Sequence, residues 1–354
     1  MRKIAVFFIF VSIGVSFSTL YADAAESDVS GTANGAADGT ADINWLRATL
    51  RSYTLSLSPQ FGMFWGQGEE QVYENEESNR LLSQLLWDIK PLWYLGTGME
   101  FAQKNPLEGP GVFGVLSAKF GVPATSGVME DRDWLSPGGE LSNYSQHGNL
   151  TDGAMFLDLT LGLSIPAWNL ITIRFFSGVS YMRCSWDAYD GYYRYGKSSG
   201  GVYEPLTDSD PAVSMSGVVI SYSQDWLFLP FGMRISIAPN RLFSVALYYS
   251  AGPVINFLGQ DNHYMRIRTG YYGQFADETS GGYVLDGGGE LRFSPLERFS
   301  LLLRVSHRGV TAKPHGSSFG SYTGTGNRTW NFLGNVAGGR FQSLDLGIGL
   351  EIRR

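Results

Sequence analysis

Two short acidic signatures, far apart along the chain, hold the groups with which it could do chemistry. One is Met129-Glu130-Asp131-Arg132-Asp133-Trp134 and the other is Asp261-Asn262-His263-Tyr264. In an extended strand, residues i and i+2 share a side, so Asp131 and Asp133 face one way together, as do Asp261 and His263. A fold that set those two sides against each other would place a carboxylate pair opposite an aspartate-oriented imidazole. Such a constellation can activate a water molecule. Each part alone is weak evidence. An Asp-x-Asp is far more often a solvated or loop-capping pair than a catalytic one, and a lone exposed histidine is more often inert than reactive.

The elements that must position these groups begin with an export signal. Met1-Arg2-Lys3, an apolar run from Ile4 to about Leu20, and Ala22-Asp23-Ala24 have the charge, apolar and small-x-small pattern of a signal peptide, predicted over residues 1–24. A membrane-anchor helix fits less well, because the run is short, interrupted by serines and followed by no basic flank. Residues 25–44 are small, polar and rich in Gly and Ala, and are predicted to be a flexible lead-in. The remainder, 45–354, has no second linker and is expected to form one unit.

Composition narrows the class of that unit. The chain is 44% hydrophobic but 17% charged, with 14% aromatic residues and 45 glycines, and past residue 24 no apolar run reaches the ~20 residues of a spanning helix. Several segments alternate with period two. Met155, Leu157, Leu159, Leu161, Leu163 and Ile165 form one apolar face; Phe299, Leu301, Leu303 and Val305 form another; Leu344, Leu346, Ile348, Leu350 and Ile352 form a third. A soluble sandwich would show the same alternation, but export and abundant Trp and Tyr near strand ends favour an all-β outer-membrane barrel. Short Pro-containing turns near Asn105-Pro106, Pro166–Asn169, Ala238–Arg241 and Ser294–Glu297 alternate with polar stretches near Gln67–Ser78, Ser136–Thr151, Asp187–Asp210, Gly259–Gly282 and Lys313–Gly334. Four short turns and five long loops connect ten antiparallel strands, with periplasmic turns, extracellular loops and both barrel ends on the short-turn side.

On that map Asp131, Asp133, Asp261, His263 and Glu70 share the long-loop rim, although they span nearly two hundred residues. Their independent arrival at one rim is what an active site requires. Of the other histidines, His147 lies close enough in the second loop for a supporting role, whereas His307 and His315 are expected to be solvated or lumen-facing. Four dispersed histidines and the single Cys184 give no zinc-type ligand spacing and no intramolecular disulfide, so no metal is expected. The net charge is −7, and removing residues 1–24 takes away Arg2, Lys3 and Asp23 to leave −8. That balance argues against nucleic acid and suits cationic substrates.

These residues carry a family resemblance. The chain resembles the omptins, outer-membrane aspartyl-type endopeptidases built as ten-stranded barrels. Asp131-Arg132-Asp133-Trp134 is similar to that family's Asp-x-Asp-Trp motif, Asp261-Asn262-His263-Tyr264 to its Asp-x-His-Tyr motif, and Glu70-Gln71-Val72-Tyr73 with Leu82-Ser83-Gln84-Leu85 and Trp87 to its first-loop region. The resemblance implies a monomeric, cofactor-free protease of polypeptides. His263 would be the general base on a water, Asp261 its orienting partner, and Asp131 and Asp133 the groups that position the water. It further implies cleavage next to basic residues, with Glu70 as one acidic group of the primary pocket.

Three positions depart from the family pattern. The second pocket acid, expected two residues before Asp261, is Gly259, and Glu69 is a candidate to compensate. Omptins bind lipopolysaccharide through a basic cluster on the outer wall, for which Arg183 is the candidate here, without matching neighbours. The chain also finishes Glu351-Ile352-Arg353-Arg354, where outer-membrane barrels commonly finish on an aromatic residue. The competing expectation is a non-catalytic barrel, a porin-like channel or adhesin, whose rim aspartates and histidine never meet. A lipid hydrolase is a third, and would need a nucleophilic serine beside a histidine.

Overall fold

Period-two alternation turns into ten antiparallel strands that close on themselves. The computed structural model of the chain describes residues 52–75, 77–265, 273–312, 316–321 and 330–354. The expected signal peptide, the lead-in and His315 lie outside the described residues. We number the strands β1 (Tyr53–Tyr73), β2 (Leu81–Gln103), β3 (Gly111–Gly121 and Ala124–Asp133), β4 (Asn143–Trp168) and β5 (Ile171–Tyr195). They continue as β6 (Val218–Phe228 and Phe231–Ile237), β7 (Phe243–His263), β8 (Gln274–Thr279 and Gly282–Leu296), β9 (Phe299–Ala312 and Gly316–Ser321) and β10 (Trp330–Arg353). Each strand pairs with the next, and β1 pairs with β10 from Ser56 opposite Arg353 to Tyr73 opposite Val336. Among the described residues the ring has no free edge.

Polarity is inverted relative to a soluble protein. Leu161, Leu163 and Ile165 of β4 and Leu344, Leu346, Ile348 and Leu350 of β10 are exposed on the outer wall, while Asp345 and Glu351 are buried in the lumen. Lipid is the solvent that makes this arrangement stable. The short turns fall where the sequence places them, for example at Asn169-Leu170 and Glu297-Arg298.

The long loops are shorter than expected. The spans 67–73, 143–151 and 187–195 are strand, because β4 alone has 26 residues where crossing a bilayer takes roughly 9–11. The upper barrel stands in water on its outer face, so its strands have the Gly-, Ser- and Tyr-rich composition of loops. Composition cannot separate the two.

The lumen is filled in two layers. At membrane depth Glu290 accepts from Arg234 and Arg304 at 2.7 Å each and lies 3.4 Å from Arg292. Arg308 bridges Asp286 and Asp158, Arg174 reaches Glu100, and Lys119 pairs with Asp345. Above the ions lies an aromatic floor, in which Trp87 and Trp186 each stack on Tyr222 with ring centres 5.5 and 6.0 Å away. Gly68 on β1 makes room for this floor, since a Cβ there would sit 2.6 Å from the Trp186 ring.

Candidate active site

Strand alternation decides which side chains look into the cleft above the aromatic floor. On β7, Gly259, Asp261 and His263 take the lumen side, and His263 Nε2 lies 2.6 Å from Asp261 Oδ2. The imidazole meets Phe275 of β8 edge-on, with ring centres 5.4 Å apart. Asp261 stands opposite Tyr222 of β6 in register. On the other side, Asp131 and Asp133 end β3 with their side chains buried, flanked in register by Leu85 and Ser83 of β2 and by Ser145 and Asn143 of β4. Asn143 donates to Asp133 at 3.3 Å.

Glu70 links the two walls. It is 4% exposed on the lumen side of β1. Burial, then the negative charges of Asp261, Asp277 and Asp131, hold its carboxyl well above the usual carboxylate range. Glu70 is therefore within electrostatic reach of both acidic signatures at once. All five candidate residues are in the upper lumen.

The remaining candidates separate from the site. Glu69 points outward, where Gln71 and Gln84 donate to it, and it cannot replace a pocket acid at position 259. His147 is buried one step below Ser145, with Nε2 2.9 Å from the Ser145 hydroxyl and Nδ1 against the Asp190 carbonyl. Burial pushes its pKa down, which suits a neutral structural imidazole. His307 is exposed on the outer wall, neither lumen-facing nor near the cleft. Arg183 does lie on the outer wall, but its guanidinium grips Asp225 of β6 at 2.7 and 2.9 Å, and Tyr181 donates to the same carboxylate.

Two strings elsewhere have the letters of other chemistries without their geometry. Gly191 to Ser198 spells a phosphate-binding loop, but Gly191–Tyr195 is the end of β5, and a hairpin of Ser198–Ser199 with Val202–Tyr203 follows instead of a helix. Gly316-Ser317-Ser318-Phe319-Gly320 spells a serine-nucleophile turn but lies inside β9. Asp277 of β8 and Tyr222 are the cleft residues the sequence did not single out. Their relevance comes from cross-strand register, which no local motif encodes.

A family model described as the Omptin family matches residues 51–353. The chain belongs to the omptin family. This omptin is an outer-membrane β-barrel protease, a hydrolase of peptide bonds whose substrates are polypeptides. The outer membrane protease OmpT from Escherichia coli shares its fold, with a TM-score of 0.73 over 85% of this chain and 97% of that chain at 17% identity. The translocator domain of autotransporter NalP from Neisseria meningitidis (TM-score 0.30, 12% identity, 88% and 95% covered) and the Pseudomonas putida toluene transporter TodX (0.29, 9%, 84% and 89%) are too loosely alike to inform the omptin cleft. No curated protein sequence matches the chain.

Proposed function

We propose that this omptin is exported through a signal peptide over residues 1–24 and cuts polypeptides in a cleft facing the cell exterior. Cleavage falls next to basic residues and uses an activated water with no covalent intermediate. The observation that carries this reading is the 2.6 Å contact between His263 Nε2 and Asp261 Oδ2 on the lumen side of the rim. With Asp261 ionised, the Nε2 proton is donated to its carboxylate, and Nδ1 keeps the lone pair that accepts a proton from water. The hydroxide oxygen bonds to the peptide carbonyl carbon. As the tetrahedral intermediate collapses, the imidazolium returns its proton to the departing amine, so the base is regenerated. Asp261 stabilises the imidazolium, and Asp131 and Asp133 hold the water from the facing wall.

Purified, refolded protein is expected to cut a peptide containing Arg-Arg or Lys-Arg near neutral pH. His263→Ala and Asp131→Ala should each lower kcat/KM by about 10²–10⁴-fold while the barrel keeps its heat-modifiable migration. Undiminished cutting by either folded variant would contradict the mechanism.

A further inference from the structure

Position 259 departs from the omptin pattern, and the register of β7 with β8 shows what stands beside it. Gly259 pairs directly with Asp277. Directly paired residues of antiparallel strands project to the same face, so the Asp277 carboxyl enters the lumen at the height a side chain at 259 would occupy. Asp277 is 2% exposed, and its charge is among those that hold the Glu70 carboxyl well above its usual range. Position 259 is itself crowded. A Cβ there would lie 3.0 Å from the Tyr222 hydroxyl and 3.2 Å from the Phe257 ring.

We infer that Asp277 is a specificity-determining residue: with Glu70 it forms the acidic floor of the pocket that receives a cationic substrate side chain, in place of the carboxylate missing at position 259. The inference takes its location beneath the scissile bond from the hydrolytic reading above. Two carboxyls buried close together favour keeping a proton on one of them, because two bare carboxylates repel. A Lys or Arg side chain supplies both the donors and the positive charge that let this proton leave. A neutral side chain supplies no positive charge, and an acidic one adds a negative charge that the two carboxyls repel. A planar guanidinium can address two neighbouring carboxyls together. The family's acid has in effect moved one strand sideways, with Tyr222 filling the space it left.

The test reads binding on the His263→Ala background, in the refolded full chain in detergent. The probes are a fluorescent peptide with Arg at the cleavage position and its citrulline counterpart, a neutral isostere. The Arg peptide should bind about tenfold or more tighter, and Asp277→Asn should shrink that ratio to about twofold. The pH dependence of the same ratio, measured without Asp277→Asn, decides the matter if that variant does not fold. Discrimination should grow as pH rises, since binding the cation displaces a proton. Undiminished discrimination in folded Asp277→Asn, a ratio independent of pH, or no discrimination at all would overturn the inference. Discrimination that depends on Asp277 in a protein whose His263 form cuts neither peptide would keep the inference and sink the hydrolytic reading.

Discussion

At Glu70, burial and the charges of Asp261, Asp277 and Asp131 all act in one direction, raising its pKa. In the unfolded chain the same carboxyl ionises near its ordinary value of about 4.3. The folded barrel therefore binds the proton more tightly than the unfolded chain. The stabilisation is complete below the ordinary glutamate range and is lost as pH climbs through the raised folded value. Because the charge of Asp277 is among the causes of the raised value, the loss belongs to the two carboxyls together. Glu70→Gln keeps the size and a neutral amide that can donate to Asp277, and so removes this titration. Relative to the parent, the variant should become progressively more stable from about pH 4 towards neutrality. Denaturant midpoints across that range check it, and parallel curves for the two proteins would show that Glu70 does not titrate as described. His147 makes the contrast: with both ring nitrogens occupied by Ser145 and Asp190, its lowered pKa marks a buried packing group.

The aromatic floor transmits packing errors in the strands to the site. Trp186 is held against Trp87 and Tyr222, and a Cβ at Gly68 would lie 2.6 Å from its ring. Gly68→Ala would drive a methyl group into that ring, so the variant should lose about 1–3 kcal/mol of unfolding free energy. Peptide cleavage should fall with it, because Tyr222 stands opposite Asp261. Gly109→Ala, with nothing within 4 Å of the added carbon, is the control and should stay within about 0.5 kcal/mol. These strands were also where the sequence was most legible. Met155–Ile165, Phe299–Val305 and Leu344–Ile352 alternate because one face meets lipid and the other the lumen, and that physical contrast is written residue by residue. The pairs Asp131/Asp133 and Asp261/His263 were legible for the same reason, since i and i+2 share a face. Asp277 was not, because its meaning depends on which residue of β8 faces Gly259 after the chain returns from the loop. Strand and loop were indistinguishable between 187 and 195, where both faces are polar enough to suit water.

For the molecule as a whole, the question is how a closed cylinder with charges inside avoids being a hole. Eight strands enclose a lumen that ordinary side chains fill, and ten enclose a wider one. Here the extra space is taken by long side chains tied into ion-pair networks: three arginines around Glu290, with Arg292 also 3.4 Å from Glu351, and Arg308 between Asp286 and Asp158. The aromatic floor closes the tube above them. Such a barrel should show no steady conductance in a planar bilayer, whereas a channel would. Glu290 is the residue on which the lower layer depends. Its removal leaves Arg234 and Arg304 without the counter-ion they share, while Arg292 keeps Glu351. Because those arginines keep some exposure, the low end of the range for a broken buried pair applies, and Glu290→Ala should cost about 3 kcal/mol of stability. Replacing Arg304 by Met as well removes one of the uncompensated charges and should recover part of that loss, which no effect of cavity size alone would produce. If the double variant were no more stable than Glu290→Ala, charge balance would not be what holds the lumen shut.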